Sequence, residues 1–344
     1  MTADVRAARG IPAPVLFLGS GLTQYLGAAL AVGLFAVLTS PTVAWLRIAV
    51  SALVLLAWRR PWRFRWTRGD LLASALFGAV LAAMNVAFYV AIEVLPLGTA
   101  VAVEFAGPVA VAALTGRTVR ERVAIAVAAA GVVLLAGVSL DAGPDAGRGL
   151  VAIGVSAVCW AGYILLGRRV AHGRAEAGTG PGAAGVPDDA GAGDPSSGGA
   201  VRDLAGRDEA VADDAGAAGP RSGGAAPAGG ARPDGVSSLA VAMTVGALVF
   251  APFLASPAAP VLRDPHLLLL VVGIAVFSSV VPYAIEQVVL RRVTAATFAV
   301  LLAMLPATAA VTGVVVLRQL PGWGEVAGLA LVSVAIVLTA RRTA

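Results

Sequence analysis

Ten apolar stretches, each long enough for a membrane-crossing helix, fall along the chain in two groups of five. They cover residues 14–38, 42–58, 71–92, 98–116 and 123–140, then 149–167, 237–256, 267–290, 294–316 and 324–340. A hydrocarbon core about 30 Å thick takes roughly 20 apolar residues of helix to cross, and about 17 suffice. An odd number of crossings per group means that the second group enters the membrane upside down relative to the first. The expected fold is therefore an all-α integral membrane bundle of ten transmembrane helices, built as two inverted five-helix repeats, residues 1–140 and 141–344. Inverted repeats of this kind are an architecture of carriers that open alternately to two faces.

Composition agrees with that reading. Hydrophobic residues make up 58% of the chain, charged residues only 13%, and the mean hydropathy is +0.87, outside the range of soluble globular domains. The net charge of +5 averages two unlike regions: residues 173–236 hold ten acidic residues and five Arg, near −5, so the remainder is near +10. That segment is dominated by Gly, Ala, Asp and Pro and has too few large apolar side chains to offset chain entropy. It is expected to be a disordered cytoplasmic insert in the second repeat, spanning roughly 45 Å as a flexible coil. Arg6 and Arg9 precede the first stretch as in a signal peptide, but no small-x-small cleavage site follows, so this stretch is expected to remain as a helix.

The arginines fix an orientation, because positive residues in short loops stay cytoplasmic. With the N-terminus inside, seventeen Arg lie on the inner side and only Arg148, Arg263 and Arg318 lie outside. The expected location is the cytoplasmic membrane, with multiple passes and both termini in the cytoplasm. The loop from Arg59 to Arg68 interleaves Arg with Trp62, Phe64 and Trp66, the pattern of an interfacial anchor in the lipid bilayer rather than of a nucleic-acid site. The single Cys159 makes no internal disulfide, and two His without clustered Cys match no familiar metal site. No GxxxxGK[ST] sequence is present, so ATP drive and a bound cofactor are not expected.

Two connections match across the repeats. The segments 91–100 and 289–298 each join one stretch to the next by a very short turn, and the following stretch carries a proline at the same offset, Pro108 and Pro306. An internal proline frees the carbonyl four residues earlier, those of Glu104 and Leu302. In a membrane such a break is tolerated where protein or a watery cavity satisfies the freed group. The two helices are therefore expected to face a transport path.

The runs Met84-Asn85-Val86-Ala87-Phe88-Tyr89, Pro96-Leu97-Gly98 and Val103-Glu104-Phe105-Ala106-Gly107-Pro108 resemble the EamA-type drug/metabolite transporters. The segments 159–165 and 281–286 fit the same pattern, and within the superfamily the chain is most similar to the bacterial threonine/homoserine exporter group. The resemblance covers the whole chain except the insert and implies secondary export of small metabolites. The family commonly has Glu before the second proline and Gly-Glu after that stretch. This chain has Leu305 and then Arg318-Gln319.

Glu104 is the sharpest candidate. A charge at mid-bilayer costs about 2.5–3.5 kcal/mol on insertion scales, so it is expected to face the bundle interior. Gly107 and Pro108 share its helical face by i, i+3, i+4 spacing. Exposed in turn to each side, this carboxyl suits the uptake and release of a proton. It is equally placed to be a structural partner of Arg47 or a gate. Asn85, Tyr89 and Glu93 recur every four residues on the third stretch. Ser156, Trp160 and Tyr163 line one face of the sixth, and Ser279, Tyr283 and Glu286, with Gln287 beside them, line one face of the eighth. Gln24 stands in the first. Glu286, near the cytoplasmic end, is placed either in the path or as a partner of Arg291. Amides, hydroxyls and carboxylates together can satisfy a zwitterion's ammonium and carboxylate, while aromatic faces hold a cation or an apolar stem.

The leading expectation is a proton-coupled secondary exporter of small polar metabolites, foremost amino acids such as threonine or homoserine. Export of drugs or other amphipathic metabolites is the runner-up. A membrane enzyme would need a clustered nucleophile and base, whereas His172 and His266 fall in loops on opposite sides. A non-transporting scaffold acting through the insert is the third class. Small residues on most stretches suit a homodimer face as well as packing within one bundle.

Overall fold

A computed structural model describes residues 12–115, 118–178, 235–290, 293, 297 and 301–340. Every regular element among them is helical. In chain order these are α1 (Ala13–Leu34), α2 (Ser40–Arg59), α3 (Arg68–Ile92), α4 (Leu97–Glu104), α5 (Ala106–Thr115), α6 (Val119–Ala142) and α7 (Ala146–Gly178). Then follow α8 (Gly235–Leu254), α9 (Ala259–Arg263), α10 (Pro265–Ala275), α11 (Val281–Leu290), α12 (Leu305–Leu317) and α13 (Trp323–Ala340). Five helices are long and apolar enough to cross a membrane, and five shorter apolar helical stretches of 10–17 residues follow the remaining expected crossings.

Large apolar side chains line the outward face of the bundle as well as its core. Along α1 the inward face is Phe17, Ser20, Gly21, Tyr25, Ala28 and Ala31, while Leu22, Leu26 and Leu30 point outward. Exposed leucines around a core rich in Ala, Gly and Ser are stable in lipid, where packing of small residues rather than exclusion of water holds helices together. Small residues also set the closest crossings. A Cβ on Gly78 of α3 would run into the carbonyl of Ala242 on α8, and one on Gly107 of α5 into that of Ala157 on α7.

Local signals account for the helix ends. Thr67 and Asp70 form a capping box at the start of α3, Thr67 Oγ1 accepting from the Asp70 amide at 3.1 Å. Thr118 and Glu121 form another at the start of α6, and Asp264 caps α10. Arg60 ends α2 in the left-handed region at φ 49° and is followed directly by Pro61.

Three expected crossings are interrupted. The stretch 98–116 breaks at Phe105 between α4 and α5, three residues before Pro108. α12 begins only after a turn at Ala303–Met304, ahead of Pro306. The stretch 267–290 contains a π-helical segment, Val276–Val280, just before Pro282. Each defect places a missing proline N–H beside a carbonyl that regular helix would leave unpaired. Two further differences concern length. α7 continues to Gly178, so its last residues, 173–178, are helical although they fall in the segment expected to lack structure. The short α9 forms in the loop after α8.

The helices pack in a connected bundle. α3 lies against α7 and α8, α2 against α8 and α10, and α6 against α13. α1 packs on α11, the π segment and α12, while α12 also packs on α4, and α5 on α7. Trp45 ties α2 to α8, its Nε1 donating to the Ala247 carbonyl at 2.7 Å.

Candidate functional site

The break between α4 and α5 positions the first acidic group. Glu104 is the last residue of α4 and is buried at 9% exposure. Ser156 of α7, fully buried, donates to Glu104 Oε1 at 2.5 Å and lies 3.0 Å from the Met84 carbonyl of α3, so one hydroxyl proton is shared between two acceptors. Gly107 makes this possible, because its missing side chain lets α5 approach the α7 backbone at Ala157, next to Ser156. Phe105, at the break itself, meets the Trp160 ring edge-on with centroids 4.8 Å apart.

A second acidic group is held by a serine in a similar way. Ser20 of α1 is fully buried and donates to Glu286 Oε1 at 3.2 Å. It also lies 3.3 Å from the Pro282 carbonyl of α11. Counted along the helices, Glu104 stands seven residues in from the start of α4 and Glu286 four residues from the end of α11. Buried Tyr25 of α1 is within electrostatic reach of both carboxyl groups.

Above the first acid, Arg47 of α2 lies over the Tyr89 ring of α3, its guanidinium carbon 5.0 Å from the centroid. Tyr89 is completely buried, between Phe35 and Phe88, with ring centroids 6.1 Å away on each side. Arg47 is within electrostatic reach of Glu104, yet no ion pair joins them. At the bundle's end, Glu93 pairs with Arg148 at 3.3 Å and accepts from Ser40 Oγ at 2.7 Å, on the rim of a recess of about 370 Å³.

With this arrangement established, similarity to known proteins becomes informative. The chain is 30% identical over 298 residues to the threonine/homoserine exporter RhtA of Salmonella typhimurium strain LT2, covering 86% of this chain and 80% of that protein. It is 30% identical over 282 residues to the exporter of the same name from Escherichia coli strain K12, covering 82% and 75%. The model of the EamA-like transporter family matches residues 230–341. The chain belongs to the EamA-like transporter family. A solved crystal structure only 14% identical shares the fold with a TM-score of 0.50, over 96% of this chain and 98% of that one.

In this EamA-type chain the residues singled out from sequence do not all meet. Glu104, Gly107 and Trp160 converge at the α4–α5 break, and Pro108 follows it. Pro306 stands in the first turn of α12, after the matching turn. Arg47 and Tyr89 pair with each other, and the pairing of Arg47 with Glu104 does not form because the guanidinium rests on the aromatic face instead. Asn85 is buried but turns its Nδ2 back to the Leu81 carbonyl of its own helix at 2.7 Å. Gln24 is half-buried and makes no side-chain hydrogen bond among the described residues. Glu286 is bound inward by Ser20. Its expected alternative partner, Arg291, lies outside the described residues, as do the side chains of Tyr163, Tyr283 and Gln287.

The residues that sequence reasoning passed over are Ser20 and Tyr25, and the role of Ser156 as the holder of Glu104. At the positions where the chain departs from the family pattern, Leu305 packs near Gly21, and Gln319 Oε1 accepts from the Leu97 amide at 3.0 Å, capping α4.

Proposed function

We propose that this protein is a proton-coupled secondary exporter of small polar metabolites in the cytoplasmic membrane, with amino acids such as threonine and homoserine as its cargo. The observation that carries this reading is a pair of carboxyl groups in apolar helices, Glu104 buried and Glu286 half-buried, each held by a serine from another helix. Ionisable groups at such depth are expensive and mark cargo or proton paths. The relatives named as threonine/homoserine exporters supply the cargo class. Their naming also favours a transporter over an enzyme.

The packing supports two inverted five-helix halves, 1–140 and 141–344, and the arginine distribution among the loops supports cytoplasmic termini. Exchanging α1 with α7, α2 with α8, α3 with α10–α11, α4–α5 with α12, and α6 with α13 maps the largest contacts between the two halves onto one another. The α3–α7 contact becomes α11–α1, α3–α8 becomes α10–α2, and α5–α7 becomes α12–α1. The α2–α8, α4–α12 and α6–α13 contacts map onto themselves. The serines obey the same exchange: Ser156 of α7 reaches a carbonyl of α3, and Ser20 of α1 reaches a carbonyl of α11.

The test is flux of labelled threonine in proteoliposomes under an imposed pH gradient, with Glu104→Gln beside the parent protein. Gradient-driven threonine movement is expected for the parent, with its loss in a folded Glu104→Gln protein. Unchanged flux in that variant would remove Glu104 as proton carrier or gate.

A further inference from the structure

Two buried donors, on the stacked side chains Arg47 and Tyr89, have no acceptor. Tyr89 is completely buried, and its hydroxyl has no hydrogen-bond partner among the described residues. The buried Nε of Arg47 has none either. Buried polar groups in native proteins are paired, so two adjacent orphan donors call for a ligand that supplies acceptors. Both are donors and one is cationic, which specifies a small anion.

The surroundings narrow the anion further. The π face of Tyr89 holds the Arg47 guanidinium and balances part of its charge without using its N–H groups. Glu104 stands within electrostatic reach but is engaged by Ser156, and the two opposite charges remain apart. A site with separated positive and negative groups and unpaired donors at its positive end is complementary to a molecule that carries both charges itself. A carboxylate offers two oxygens, one for the guanidinium and one for the phenol, and a guanidinium binds it in a fixed geometry that an ammonium does not reproduce.

We propose that Arg47 and Tyr89 bind the carboxylate of the cargo while Glu104 receives its ammonium, so that the protein selects α-amino acids by holding both ends of the zwitterion. This rests on the reading of the chain as an amino-acid exporter and adds how the cargo is recognised. Tyr89 is a specificity-determining residue in this arrangement, and its ring also positions Arg47.

The test compares threonine with the amino alcohol in which the carboxylate is reduced to a hydroxymethyl group. Both are used as labelled cargo in proteoliposomes containing the full-length protein. The parent is expected to prefer threonine by at least about a hundredfold in kcat/KM, because the alcohol leaves the buried donors unpaired or poorly matched. Arg47→Gln is expected to reduce that preference at least about tenfold. Tyr89→Phe, which keeps the ring beneath Arg47, is expected to raise the KM for threonine with less effect on the alcohol. Arg47→Lys retains charge without the fork, and threonine KM is expected to rise in it as well; this variant also serves if Arg47→Gln does not fold. Equal losses for both cargoes in folded Arg47→Gln or Arg47→Lys would reduce Arg47 to a structural role and overturn the inference, with the exporter reading intact. A parent protein that moves no α-amino acid would overturn both.

Discussion

Gly107 offers a quantitative perturbation of the site that leaves its polar groups in place. A Cβ at this position would lie 2.9 Å from the carbonyl carbon of Ala157 and 3.2 Å from its Cα, and would press closest on the carbonyl oxygen. Relaxed carbon–carbon contacts sit at about 3.5–4.0 Å, so α5 must move away from α7 by roughly 0.5–1 Å. Backbone opposes backbone here, and no flexible side chain can yield. Overpacking of this kind costs about 1–3 kcal/mol. The displaced backbone of α7 carries Ser156, so the same movement stretches its bond to Glu104. Weakening that bond adds about 1 kcal/mol or more, and each 1.4 kcal/mol lost from cargo binding is about tenfold. Gly107→Ala is therefore expected to lower the unfolding midpoint in detergent and to reduce threonine efflux about tenfold or more. Gly154, on α7 itself, is the control: a Cβ there meets nothing within 4 Å. Gly154→Ala is expected to be neutral or to stabilise by up to about 1 kcal/mol through helix propensity. Thermal unfolding followed by size-exclusion chromatography, with efflux from cells expressing each variant, measures both. Parent-like stability and efflux in Gly107→Ala would refute the packing argument.

Two other outcomes are expected. Ser20→Ala removes the hydroxyl that meets Glu286 at 3.2 Å and should cost about 1–3 kcal/mol, lowering the midpoint and the gradient-driven flux while leaving the amount of membrane-inserted protein unchanged. Deleting residues 179–234 should leave efflux per molecule unchanged, whereas loss of the protein's normal position within the membrane with flux intact would favour scaffolding through that segment.

The membrane character and the places where helices break were legible in the sequence, since both follow from one-dimensional facts. Apolar runs of about 20 residues have few alternatives to membrane helices, and Pro108 and Pro306 mark the missing N–H groups directly. Glu104 stood out for the same reason, as an isolated charge in an apolar run. Its partner did not. Hydroxyls inside apolar helices commonly bond back to their own turn, as Thr23, Thr244, Thr308, Thr312 and Thr339 do here. Nothing local separates these from Ser20 and Ser156, whose acceptors lie 266 and 52 residues away. The partner of Arg47 was hidden for a related reason. Charge and depth placed it opposite Glu104, whereas the fold puts an aromatic face beneath it, a choice that depends on how α2 and α3 rotate about their axes. The π segment before Pro282 was not anticipated, because the way a helix absorbs that proline depends on packing against α1.

Two oppositely oriented halves are the architecture proposed for this chain, and equivalent loops test it most directly. Trp62, 66% exposed between α2 and α3, and Leu262, 82% exposed in the connection between α8 and α10, lie in loops that the proposed exchange of halves makes equivalent. Each is replaced singly by Cys in a Cys159→Ala background, and intact cells are treated with a membrane-impermeant maleimide. Labelling of the 262 position alone, with the 62 position reacting only after the cells are opened, is the result expected. Labelling of both from the same side would contradict the inverted halves and the proposed mechanism built on them.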